Sequence, residues 1–159
     1  MTEDPKRLYW DADVFLSLIE DHPGRAPLIQ SLLADARGGI VEVVTSAITI
    51  AEVAYASAAR LSGAPAPDVE REIDALWEAG GPVGVVEVYP LLAVRARDII
   101  RASVGNGWTG LRAHDAIHLA TAQQLHVDEV HTYETKWVRY ADIIGIPINE
   151  PRTDQERLL

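Results

Sequence analysis

The feature that most constrains this chain is an alternation. Short runs rich in β-branched or aromatic residues, at 8–10, 40–45, 83–88, 127–132 and 146–148, are separated by longer stretches of helical periodicity. Strands interleaved with helices in this way imply a largely parallel sheet covered on both faces. The expected fold class is therefore α/β, a three-layer α/β/α sandwich around a mostly parallel sheet of about five strands. Its crossovers should be right-handed and its ligands should bind at the carboxyl ends of the strands. With 159 residues, 48% of them hydrophobic, one domain over 1–150 accounts for the chain and leaves a polar tail at 151–159.

There is no cysteine, which excludes disulfides and thiolate metal sites, so any metal must be held by oxygen or nitrogen ligands. The opening MTEDPKRLYW is charged and then only briefly apolar, too short for a signal peptide or a membrane span. A cytoplasmic protein without membrane contact is the expectation. The net charge of -10 argues against broad affinity for phosphate backbones. Lys6 and Lys136 are the only lysines, however, and arginine is the better bidentate partner for phosphate. A localised basic site thus remains open.

Along the chain, the strand at 8–10 ends at Asp11, and a helix follows from about Val14, with Asp13 at the position expected of its N-cap. Pro27 opens a second helix, and Ser46 or Thr49 can cap a third that runs to Arg60. In that third helix Glu52 is the one charge before the end, on a face read as Ile48, Tyr55, Ala56 and Ala59. Ser62 begins a turn-rich connector, and Asp68 is read as the cap of a structural helix reaching about Ala79. Pro90 opens the next helix, whose Arg95, Arg97 and Arg101 read as a solvated face. A glycine-rich loop then leads to RAHDAIHLATAQ at 112–123, an apolar helical run with Asp115 inside it. Glu134 follows the strand at 127–132, and a helix is expected over 135–144.

Asp11 and Glu134 follow strands, whereas Glu52 and Asp115 lie near helix beginnings that can face the same edge. A lone ionised carboxylate in an apolar helix costs several kcal/mol, roughly, unless it is protonated, paired or bound to metal. An acid in a helix's first turn is the simpler account of Asp115, stabilising by up to roughly 1 kcal/mol. Four converging acids would repel one another and raise each other's pKa values without a cation. A hard divalent ion, Mg²⁺ or Mn²⁺, relieves that cost and supports phosphodiester hydrolysis.

YWDADVF, TSAITIAEVAYA, HDAIHLATA and HTYETKW occur here in the order of a PIN domain, and the chain resembles the PIN-domain ribonuclease toxins of VapBC toxin-antitoxin pairs. The resemblance covers nearly the whole length. It implies a metal-dependent endoribonuclease in which Asp11, Glu52, Asp115 and Glu134 are the catalytic acids. Asp11, Glu52 and Asp115 would hold Mg²⁺ or Mn²⁺ directly, and Glu134 through a water. It further implies an RNA substrate, a homodimer and a small antitoxin whose C-terminal segment covers the active site. Two departures stand out: Asp13 replaces the usual Asn or Ser, and Glu134 replaces the usual Asp. Thr132 matches the family's Thr or Ser before the fourth acid. Asp13, Arg112, Thr132 and Lys136 are the candidate substrate contacts, with His114 and Arg139 beside them. His118, one turn from Asp115, reads as a structural support, since hard cations disfavour imidazole. No aromatic-plus-basic platform for single-stranded RNA is evident in the sequence.

Two other readings make different demands. Asp11-Ala12-Asp13 with Val44-Thr45 also resembles the first two motifs of haloacid-dehalogenase-type phosphatases, but no acidic pair follows Lys136. A non-catalytic PIN-like binding protein would accommodate Glu134 and the acidic surface, yet leaves Asp11, Glu52 and Asp115 without a task. The same charge would attract a basic antitoxin peptide, with Phe15, Leu18, Leu32 and Leu33 divided between the core and a groove for its helix.

Overall fold

Strand β1 (Lys6–Trp10) sends alternate side chains to opposite faces, and its neighbours are sorted accordingly. Leu8 and Trp10 pack with Phe15, Ile29, Val53 and Leu76, whereas Tyr9 packs with Leu92, Ile99, Leu119 and Tyr140. The computed structural model describes residues 3–61, 63 and 65–153. Of the expected connector at 62–67 and tail at 151–159, residues 62, 64 and 154–159 lie outside the described residues.

Beside β1 run β2 (Val41–Ser46), β3 (Val83–Val86), β4 (Glu129–His131) and β5 (Ile148–Asn149), in the order β3-β2-β1-β4-β5. Every pairing is parallel. Helices α1 (Ala12–Ile19), α2 (Ala26–Arg37), α3 (Ala47–Leu61) and α4 (Pro67–Trp77) contribute to the core on one face. On the other lie α5 (Pro90–Gly105), α6 (Ala113–Gln124), a 3₁₀ helix over Thr135–Tyr140 and α7 (Ala141–Ile144). The three-layer α/β/α sandwich expected from the alternation is the fold. Leu8, Trp10, Phe15, Ile29 and Leu119 are fully enclosed, each burial contributing about 1.5–3 kcal/mol.

Several local readings change. The N-cap of α1 is Asp11, and Asp13 lies in the first helical turn instead of capping it. The helix starts earlier because β1 runs directly into it without a loop residue to spare. Ala66, not Asp68, precedes α4, whose first residue is Pro67, a side chain preorganised for that position. The buried stripe of α3 is Thr49, Val53 and Ser57, at successive i+4 spacings, so Tyr55 is 80% exposed and Glu52 falls on the stripe's edge. The helix expected over 135–144 divides into a 3₁₀ segment and one α turn, consistent with the poor helix formers of TKWVRY. No helix among the described residues is long and apolar enough to cross a membrane.

Candidate active site

In this strand order the chain leaves β1 toward β2 and β3, then returns to the other side of β1 to form β4. The carboxyl ends of β1 and β4 therefore flank the switch point, where open parallel sheets form a crevice. Asp11 follows β1, and Thr132 and Glu134 follow β4. Asp11 is 4% exposed; its Oδ2 accepts a hydrogen bond from Thr132 Oγ1 at 2.6 Å, while its buried Oδ1 has no hydrogen-bond partner among the described residues. Burial pushes its carboxyl well above the ordinary range, and the charge of Asp13 pushes it further. Thr132 Oγ1 also accepts from the Glu134 amide at 3.0 Å, so one hydroxyl ties together the two strand ends.

Asp11, Asp13, Glu52, Asp115 and Glu134 line one cavity of about 910 Å³. Asp13 is half-buried, and burial raises its pKa against the opposing charge of Arg60. Asp115 is the third residue of α6, where its Oδ2 faces the Arg112 amide at 3.4 Å. It is thus both a first-turn acid and a cavity acid, and the two readings of it are compatible. Burial raises its pKa as well, opposed first by His114, whose Nε2 lies 3.3 Å from Oδ1. Glu134 serves the 3₁₀ helix as its cap, Oε1 accepting from the Lys136 amide at 3.2 Å.

Arg112, His114, Lys136 and Arg139 share the cavity wall with these acids. Thr132 touches the site through Asp11. Contrary to the expectation of no aromatic-plus-basic platform, Lys136, Trp137, Arg139 and Tyr140 interleave in one short run and all line the cavity. The Arg139 guanidinium lies 5.3 Å from the Trp108 ring centre and 5.2 Å from that of Tyr140. Trp108 comes from a separate segment, so its part in this cluster has no mark in the local sequence. By contrast Arg97 and Arg101 are exposed and do not line this cavity.

His118 is 1% exposed and bonded at both ring nitrogens, Nδ1 to the Tyr9 hydroxyl at 2.6 Å and Nε2 to Glu52 Oε1 at 2.6 Å. Tyr9 was not singled out by sequence. The available signal was a hydroxyl two residues before Asp11 in an otherwise apolar run, hence on the same side of the strand. Thr45 is fully buried, with its hydroxyl donated to the Trp10 carbonyl at 2.7 Å and 2.8 Å from Thr49 Oγ1. A phosphatase's second motif needs that hydroxyl facing the substrate. Phe15, Leu32 and Leu33 are core residues, and of the four groove candidates only Leu18 is partly exposed.

The donor set is all oxygen, and a buried carboxylate oxygen without a hydrogen bond is the kind of atom a hard cation satisfies. Among the described residues, no three His, Asp or Glu side chains are already gathered closely enough to hold an ion. Glu52 gives Oε1 to His118 and Glu134 gives Oε1 to its own helix, so each has one carboxylate oxygen engaged within the protein. Asp11 and Asp115 supply the fixed wall, and the donor chemistry fits a divalent ion of the Mg²⁺ or Mn²⁺ kind.

A parallel α/β sandwich with an acidic crevice at its switch point defines a class, and the sequence places the chain within it. Residues 8–143 match the model of the PIN domain, and the chain belongs to that family. No curated protein matches the chain. Among solved structures, VapBC2 of Rickettsia felis bound to promoter DNA has a similar fold, with TM-score 0.67 and 12% identity over 90% of this chain and 98% of that one. VapC20 of Mycobacterium tuberculosis, described as a sarcin-ricin loop cleaving toxin, aligns at TM-score 0.63 and 15% identity, covering 86% and 94%. FitAcB of Neisseria gonorrhoeae aligns at 0.61 and 18%, covering 91% and 97%.

Proposed function

We propose that this protein is a Mg²⁺- or Mn²⁺-dependent endoribonuclease acting as the toxin of a type II toxin-antitoxin pair. The observation that carries the reading is the cavity where five acids line the switch point and Asp11 keeps a buried oxygen without a hydrogen-bond partner among the described residues. Membership of the PIN family supports nuclease chemistry, and the folds shared with VapC20, VapBC2 and FitAcB support the toxin role and an antitoxin partner.

Asp11, Glu52 and Asp115 would hold the ion, with Glu134 reaching it through a water. When bound, such an ion neutralises charge on the reacting phosphate and makes the attacking water more acidic. Thr132 holds Asp11 in place from β4. Arg112, Lys136 and Arg139 offer cations to the RNA phosphates beside the acids, where Coulomb attraction offsets the repulsion expected from a net charge of -10. Asp13 adds negative charge to the ion's surroundings. Hydrolysis then adds water at phosphorus as the bond to the leaving oxygen breaks.

The reading includes a homodimer, a cytoplasmic location and an antitoxin whose basic segment suits the acidic surface. Inducible expression of wild type and Asp115→Asn, followed by mapping of RNA ends, tests it. Growth arrest with discrete cleavage in wild type alone is the expected result. Purified wild type, stripped of any bound inhibitor and inert toward RNA in Mg²⁺ and Mn²⁺, would replace this reading with a binding-only one.

A further inference from the structure

We propose that Tyr9 and His118 form a hydrogen-bond relay that orients Glu52, making both of them positioning residues of the acidic centre. This inference rests on the metal-dependent reading of that centre. The relay draws on three elements: Tyr9 from β1, His118 from α6 and Glu52 from α3. Both links measure 2.6 Å, and the imidazole between them is 1% exposed.

The direction of the relay follows from counting donors. An ionised glutamate only accepts, so the proton between His118 and Glu52 belongs to Nε2. One ring proton then suffices, because Nδ1 is left as an acceptor and the Tyr9 hydroxyl donates to it. The opposite arrangement requires a protonated glutamate or a second ring proton. Packing holds the ring in this orientation. The Tyr9 ring meets it edge-on at 5.8 Å and 68°, and Trp137 lies tilted against it at 5.9 Å.

The consequence falls on Glu52. Glutamate has three side-chain torsions, and ordering them on ion binding costs entropy. Pinning Oε1 removes part of that cost beforehand and leaves Oε2 as the oxygen for a ligand. Tyr9 and Asp11 lie two residues apart on one chain segment, so the strand that presents Asp11 also anchors the relay holding Glu52. A merely structural histidine would satisfy the core equally well, but its loss would leave ion affinity unchanged.

Two measurements on the full-length protein test this, neither needing RNA. In the metal-free protein, long-range ¹H–¹⁵N correlation spectra should show His118 protonated at Nε2 alone, with the Nδ1 resonance displaced in Tyr9→Phe. A proton on Nδ1 overturns the relay. In Mn²⁺ titration calorimetry, His118→Leu should weaken binding by about tenfold or more, the range seen when ligand-orienting groups are lost. Tyr9→Phe should weaken it about threefold, and His118→Gln, which returns an N–H near Nε2, should recover most of the loss. Wild type binding Mn²⁺ with His118→Leu and Tyr9→Phe equal to it overturns the relay while sparing the metal reading. Wild type that binds no Mn²⁺ overturns both. Should His118→Leu fail to fold, Tyr9→Phe decides, since it removes one oxygen and no packing volume.

Discussion

Two carboxylates on neighbouring strands meet burial in opposite ways. Glu129 begins β4 and is 6% exposed, and its Oε1 accepts from Asn149 Nδ2 at 2.8 Å and from Arg152 Nε at 2.9 Å. His131 Nε2 lies 3.6 Å from the other oxygen. Asp11, just past the end of β1, is buried to the same degree but meets only the Thr132 hydroxyl and the nearby Val14 amide among the described residues. No hydrogen bond reaches its Oδ1 there, and Asp13 and Glu52 are the acids acting on it. The cost of taking a carboxylate out of water is of similar size for both. Glu129 has a cation of the chain in direct contact, whereas among the described residues no cation pairs with Asp11. An uncompensated buried charge persists where its compensation arrives from outside, which is the physical content of reading Asp11 as functional and Glu129 as structural.

The largest effect expected from that contrast is on activity. Asp11→Asn or Asp115→Asn should lower RNA cleavage at least about a hundredfold, since one well-placed charge in a water-poor site is worth roughly 3 kcal/mol. Circular dichroism and the elution volume should match wild type. Glu129→Ala should do the reverse, leaving cleavage within about twofold while stripping Arg152 and Asn149 of their acceptor. A loss of about 2–3 kcal/mol is expected for that charged, buried set, lowering the melting temperature by roughly 4–12 °C. If Glu129→Ala abolished cleavage in a folded protein, the division between the two acids would fail.

How far the sequence carries this contrast depends on which interactions are local. The alternation of strands and helices determines the sandwich, because period and crossover are properties of contiguous segments. Asp11, Glu52, Asp115 and Glu134 stand out as acids at segment ends or in apolar runs, and the fold gathers all four around one cavity. What stays hidden is partnership across long separations. Glu129 carries no sequence mark of its Arg152 partner, Tyr9 none of His118, and Trp108 none of Arg139. The roll of α3 is a similar case. Its sequence offers two overlapping apolar stripes, and only packing against α1 and the sheet decides that Val53 faces in and Tyr55 faces out. The start of α1 depends on where β1 stops, so capping preference misplaced Asp13 by one role.

The next effect concerns stability and its dependence on pH. Asp11 has a raised pKa in the folded protein, through burial and then the charge of Asp13, so the folded state holds that proton more tightly than the unfolded one. The stabilisation this provides is complete below the unfolded value of about 4 and is lost as pH rises through the raised folded value. At neutral pH the metal-free protein therefore carries an electrostatic penalty. Asp11→Asn should melt higher than wild type at pH 7, the two curves converging toward pH 4. Adding Mn²⁺ should raise the melting temperature of wild type more than that of the variant, as ligand linkage requires. A variant that melts lower than wild type at pH 7 and shows an equal response to Mn²⁺ would place Asp11 with Glu129 as a structural acid.

The cations repeat the contrast on a smaller scale. Arg152 is committed to Glu129, whereas Arg139 meets no acid among the described residues and rests on the rings of Trp108 and Tyr140, with the Tyr140 hydroxyl 3.2 Å away. A guanidinium held by π faces retains its full charge and has already lost much of its rotational freedom, so it can meet a phosphate at low entropic cost. RNA affinity measured in an Asp115→Asn background without divalent ions isolates this term from catalysis. Arg139→Ala should weaken binding a few-fold and reduce the slope of log affinity against log salt by about 0.7, the value for one phosphate contact to a single strand. Trp108→Ala keeps the charge and loosens its support, so it should weaken binding less and leave the slope unchanged. Arg152→Ala should change neither. An unchanged slope in Arg139→Ala would remove this arginine from the RNA path, and the cavity's positive side would then fall to Arg112 and Lys136.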